Sequence, residues 1–206
     1  MEEMIKKPAN QQHHGNLREA LVLAGLELLE EGGLPALTLR KCAARAGVSH
    51  AAPAHHFDGL RGLKTAIAIR GFGVFEQMMK DAMAEANPET KSQVLGICQG
   101  YIRFATEHNA LFRLVFDERD ELMDDPDWQA ASDSARKVLN DLCQKLESGP
   151  GGQAALQTAL YSLVHGYSKL MEIKSIRPGS GGERDVKFED VLEYFVFKPK
   201  PDGTVA

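Results

Sequence analysis

The stretch TLRKCAARAGVSHAAPAHHF (residues 38–57) decides the fold. Thr38 is an N-cap candidate, and Leu39, Cys42, Ala43 and Ala46 recur at helical spacing over barely two turns. Gly47 stops that helix, because glycine takes the positive φ that a sharp turn needs. Ser49 then caps a second short helix running from His50 to about Phe57, and Asp58-Gly59 breaks the chain again. Two short helices joined by a glycine turn read as a helix-turn-helix. Ala43 is small where the second helix crosses, and Val48 fills the angle between the two. Residues 50–56 then project from a helix narrow enough for the major groove of DNA. The small side chains of Ala51, Ala52 and Ala54 let its backbone approach the bases. The competing reading of this pattern is a purely structural helical hairpin.

Outward from that motif the chain reads as helix throughout. Before it, Asn16 is a cap with Glu19 three residues on, and Leu17, Ala20, Leu21, Ala24, Leu28 and Leu29 form an apolar stripe that Gly32-Gly33 and Pro35 end. After it comes a long amphipathic helix carrying Leu63, Ile67, Val74, Phe75, Met78 and Ala82 and ending near Asn87-Pro88. Further helices are expected at 89–108, 109–117, 126–147, 153–175 and 186–197. The acidic stretch 117–127 and the glycine-rich stretches 149–152 and 178–182 read as loops. The expectation is an all-α protein of about nine helices. It has a flexible arm (1–15), a three-helix helix-turn-helix domain (16–62), a ligand-binding and dimerisation bundle (63–198) and a disordered tail (199–206).

Composition agrees with this class. The 206 residues are 43% hydrophobic, 26% charged and only 7% aromatic, which suits a helical globular chain. No run of apolar residues is long enough for a membrane span, and the polar N-terminus has no signal-peptide h-region. Cys42, Cys98 and Cys143 are an odd, scattered set, read as reduced thiols of a cytoplasmic protein. The net charge of −5 is unevenly spread. Between Thr38 and Arg70, six cations (Arg40, Lys41, Arg45, Arg61, Lys64, Arg70) face Asp58 alone, a net +5 that leaves −10 for the rest. A basic segment on an acidic chain suits a local anionic partner.

No carboxylate pair, nucleophile triad or phosphate-binding loop is present, so the expectation is a non-enzyme without cofactor. His13, His14, His50, His55 and His56 do not share a helix face, so no metal site is expected. In the apolar helices, Tyr101, Trp128, Tyr161 and His165 bring polar tips that need partners. With Phe104 and Phe116 they are candidate lining of a ligand cavity, or else an ordinary core satisfied by backbone. The helices hold no basic cluster, so the expected effector is a small apolar or planar molecule. On 153–175 the small residues Ala155, Ala159, Ser162 and Gly166 recur at steps of three and four. With Phe188, Val191, Leu192 and Phe195 of the last helix they are candidates for a homodimer interface.

HHGNLREAL (His13–Leu21) and LTLRKCAARAGVSHAAPAHHF (Leu37–Phe57) resemble the first helix and helix-turn-helix of the TetR family of bacterial transcriptional regulators. YIRFATEHNALFRLVF (Tyr101–Phe116) and YSLVHG (Tyr161–Gly166) resemble the WHG-type ligand-binding domain of one TetR branch, with Tyr161 where that branch often has Trp. The resemblance implies a ligand-responsive regulator, most often a repressor, that binds double-stranded operator DNA as a dimer. It implies that Arg40 reaches a base edge. His50, Ala51 and Ala54 open onto bases, while Thr38, Ser49, His55, His56 and Lys64 are placed for phosphates. Two positions depart from the family pattern. Ala54 stands where a Tyr is usual, and Leu60 where a phosphate-contacting Lys is usual; Arg61, His55 or Lys64 could compensate in part. These departures motivate the competing reading, a small-molecule-binding or scaffold protein with a degenerate DNA head.

Overall fold

The computed structural model describes residues 17–118 and 122–201. The N-terminal arm and the cap read at Asn16 lie outside the described residues. Among the described residues there are eight α-helices: α1 (Leu17–Gly32), α2 (Leu39–Arg45), α3 (Gly59–Glu85), α4 (Thr90–Glu107), α5 (Asn109–Phe116), α6 (Pro126–Gln144), α7 (Gly152–Glu172) and α8 (Phe188–Leu192). Two short 3-10 turns, Leu34–Ala36 and Ala52–His55, complete the set.

The local causes are those of the sequence. Gly33 at φ 67° ends α1, and Pro35 diverts the chain into the first 3-10 turn. The Thr38 side chain accepts a hydrogen bond from the Lys41 backbone N–H at 3.2 Å and so caps α2. Gly47, at φ 71°, closes α2 in a Schellman turn: Val48 N–H donates to the Ala43 carbonyl and Gly47 N–H to that of Ala44.

Three expectations are corrected. The recognition segment is not an α-helix from 50 to 57 but a 3-10 turn over Ala52–His55. Pro53 sits in its first turn and has no N–H to give an α-helical ladder. Ser49 caps nothing with its hydroxyl; its carbonyl accepts from Ala52 N–H instead. The last helix covers Phe188–Leu192, not 186–197, because beyond it Tyr194 and Val196 point into solvent and give no buried face for a helix to rest on. The described start of the tail is held. Pro199 pairs with Leu146 in an antiparallel bridge, Glu147 N–H donates to Lys198 O, and Lys200 N–H to Lys145 O.

The chain divides into two compact units. The first takes the described parts of Met1–Val74 and His108–Ser132, so the helix-turn-helix shares its unit with α5 and the start of α6. Its core includes Leu21, Leu29, Cys42, Ala43, Leu63, Ile67, Leu111 and Phe112, all essentially fully buried. The second takes Phe75–Glu107 and the described residues from Asp133 onward. There α4 lies against the end of α3 through two glycines. A Cβ on Gly100 would fall 2.4 Å from the Met78 carbonyl oxygen, and one on Gly96 2.7 Å from that of Ala82. Phe188 of α8 meets the Tyr167 ring edge-on at 5.0 Å, and the Tyr167 hydroxyl donates to Val186 O.

Candidate nucleic-acid interface and effector site

The helix-turn-helix presents one polar face. Arg40 and Lys41 in the first turn of α2, and Ser49, His50, Ala51, Ala54, His55 and His56 around the recognition turn, are exposed. Ala52 and Pro53 point the other way and are buried with Phe57, fixing which side of the turn can meet a partner. Thr38 is half-buried and committed to its cap. Arg18 of α1 lies 5.4 Å from the centre of the Phe57 ring, a cation–π contact that ties α1 to the end of the motif.

Not every cation of the basic window faces outward. Arg45 turns back onto α1 and donates to Glu31 through both terminal nitrogens (2.8 and 2.6 Å) and to Glu27 at 3.1 Å. The hydrogen bonds from Arg45 hold the Glu31 carboxyl below the usual carboxylate range. Sequence reading left this clamp out, although Glu27 and Glu31 stand four apart on one face of α1. Lys64, expected at phosphate, bonds Glu118 Oε2 at 3.2 Å and is mostly buried. Leu60 is half-buried.

The six expected lining residues fall into two clusters. In the second unit, Tyr101 meets Phe75, Tyr161 and His165, and Phe104 packs against Phe75. The Tyr101 hydroxyl lies 2.8 Å from His165 Nδ1, and Tyr161 stacks on the His165 ring at 5.5 Å. Burial, with the Tyr161 hydroxyl beside it, drives the Tyr101 phenol far above the ordinary range. In the first unit, Phe116 and Trp128 both meet Phe72 edge-on, at 6.4 and 5.3 Å. Trp128 is 7% exposed, and its indole N–H has no hydrogen-bond acceptor among the described residues. Phe72 was not singled out in the sequence; it shows no chemistry of its own and becomes visible only as the ring the other two share.

A separate groove of about 550 Å³ in the second unit is lined by Ala82, Ile102, Arg103, Met171, Lys187 and Phe188 among others, and holds none of the six expected residues.

A family model of the tetracyclin repressor-like C-terminal domain matches residues 94–194. The chain is 23% identical to the HTH-type transcriptional regulator YobS of Bacillus subtilis (strain 168) over 193 residues, 89% of this chain and 88% of that one. Among solved structures, it is similar to a protein with unknown function from Rhodococcus sp. RHA1, at 25% identity and a TM-score of 0.71, covering 92% of this chain and 95% of that one. A TetR family transcription regulator from Marinobacter aquaeolei VT8 shares the fold at 18% identity and a TM-score of 0.58, over 90% and 97% of the two chains. The chain belongs to the TetR family of transcriptional regulators.

In this TetR-family chain the C-terminal helices leave an apolar stripe uncovered. Ala155, Ala159 and Ser162 are exposed on α7, and a Cβ on Gly166 would meet nothing within 4 Å. Leu170 and Ile173 extend the same three-and-four spacing and are 44% and 69% exposed. Phe195 is also exposed and Val191 half-buried, but Leu192 and Phe188 are buried inside the protomer and offer a partner nothing. No helix among the described residues is long and apolar enough to cross a membrane.

Proposed function

We propose that this TetR-family regulator is a ligand-responsive repressor that binds a palindromic operator as a homodimer. The observation that carries the reading is the polar face of Arg40, Lys41, His50, Ala51, Ala54, His55 and His56, set on a Thr38-capped α2 and backed by a buried Ala52-Pro53 pair. In it, Arg40 pairs with a base edge, His50, Ala51 and Ala54 lie against bases, and Ser49, His55 and His56 meet phosphates. Lys64 and Thr38, both engaged within the protein, position the head instead. The exposed stripe from Ala155 to Ile173, with Phe195, serves as the dimer seam, since small residues let two helices approach closely. The aromatic clusters receive a small apolar or planar effector. Differential affinity of the effector for two states shifts the spacing of the two heads and so the affinity for the operator. The clustering of Phe72, Phe116 and Trp128 in the same compact unit as the reading head supports this coupling.

The second reading is a small-molecule-binding protein with a degenerate head, favoured by the short recognition turn and by the Lys64–Glu118 pair. Footprinting on the DNA flanking its own gene, repeated across a salt series, separates the two. Protection of a two-fold symmetric site, weakening as salt rises, is the expected result. No protection at low salt selects the second reading.

A further inference from the structure

The indole of Trp128 sits in an apolar cluster, its N–H without an acceptor among the described residues. Its ring meets Phe72 edge-on at 5.3 Å, and Phe72 in turn meets Phe116. The backbone around it is fully satisfied: Asp125 Oδ1 accepts from the N–H groups of both Asp127 and Trp128, which pins the first turn of α6. A buried N–H without an acceptor destabilises a fold, and a phenylalanine would pack the same rings without that penalty. Ser132, four residues on and also buried, adds a hydroxyl to the same face of α6. Phe116 is only half-buried, so the cluster has an open side. Two polar tips on an apolar aromatic wall are the make-up of a small-molecule site rather than of a closed core. The described flanking residues set the charge: Asp124, Asp125 and Asp127 stand just before Trp128 with no cation among them, a field that repels anions.

Resting on the ligand-responsive reading above, we propose that the effector is a neutral aromatic compound carrying a hydrogen-bond acceptor, a ring ketone or ring nitrogen, which the indole N–H of Trp128 engages against Phe72 and Phe116. Trp128 is the only tryptophan of the chain, so its indole gives a single resonance in a ¹⁵N-labelled sample.

The test titrates the full chain with 9-fluorenone and with fluorene, planar compounds of nearly one shape that differ in the carbonyl. The expected result is about tenfold tighter binding of fluorenone, the scale of one added hydrogen bond. Its binding moves the indole proton downfield and slows its exchange with solvent. Trp128→Phe should bind both compounds alike and keep its melting temperature. Equal binding of the two by the wild-type chain with an unmoved indole proton overturns the inference, and so does binding of neither. The ligand-responsive reading itself is decided separately, by whether a small-molecule extract changes the affinity of the chain for operator DNA.

Discussion

His165 Nδ1 lies 2.8 Å from the hydroxyl of Tyr101, so these two polar tips of the second unit satisfy each other. Tyr161 lies flat on the imidazole and meets the Tyr101 ring edge-on at 6.2 Å, closing a three-residue cluster between α4 and α7. Tyr101→Phe should lower stability by about 1–2 kcal/mol, seen as a melting temperature lower by about 3–6 °C in calorimetry. The phenol is raised above its unfolded value, chiefly by burial. Its contribution is therefore complete below about pH 10 and is lost as pH rises beyond that. The wild-type chain should destabilise above pH 10 more steeply than Tyr101→Phe; parallel curves would reject the assignment.

Gly100→Ala should disrupt the α3–α4 contact, because the new methyl meets the Met78 carbonyl and the Met79 Cα, backbone that cannot swing aside. A loss of about 2–3 kcal/mol is expected in urea unfolding. Gly73→Ala is the control: the added methyl meets nothing within 4 Å, and helix propensity predicts a gain of about 0.5–1 kcal/mol.

Gly166→Ala separates the protomer from the dimer. Within one protomer the methyl is as free as at Gly73, so helix stability should rise slightly. A partner helix seated on the stripe has no room for it, and sedimentation should show a dimer about tenfold weaker or worse. An unchanged dissociation constant would move the seam elsewhere.

At the reading head, Arg40→Ala should weaken operator binding by about 1–3 kcal/mol and relax preference at one base pair. His55→Ala should weaken all sequences alike, as the loss of a phosphate contact does. A panel of single-base operator variants reads both effects.

Cys42, Cys98 and Cys143 are all buried, and burial raises each thiol, that of Cys143 to about 11. With almost no thiolate at pH 8, the folded chain should resist a disulfide-exchange reagent for many minutes, and denaturant should release all three at once. Rapid reaction of any one in the folded state would show a local opening.

The helical order was legible because apolar spacing and glycine–proline punctuation decide it. Gly33, Thr38 and Gly47 act as their residue types demand. The recognition turn reads as α-helix from the Ser49 cap and the Asp58-Gly59 break alone, but Pro53 stands inside it and withholds the N–H an α-helix needs. Tyr101 and His165 are 64 residues apart, and nothing local says that they meet. The same holds for Phe72, and for Gly96 and Gly100, whose spacing of four marks a helix crossing without naming the helix crossed. Leu192 looked available to a partner because a single amphipathic turn does not say which apolar surface it covers.

The clamp of Arg45 onto Glu27 and Glu31, with the pairing of Lys64 to Glu118, has a consequence for thermodynamics in solution. Each phosphate neutralised on duplex DNA liberates bound counterions, about 0.9 in the logarithmic salt slope. At least three of the six cations of the basic window are already paired inside the protein, Arg70 among them at 3.9 Å from Glu19. The head should therefore release fewer ions than its sequence charge implies, and its grip on DNA should fade gently as salt rises. A regulator built this way keeps a larger share of its affinity in base contacts than in the ionic atmosphere of the double helix.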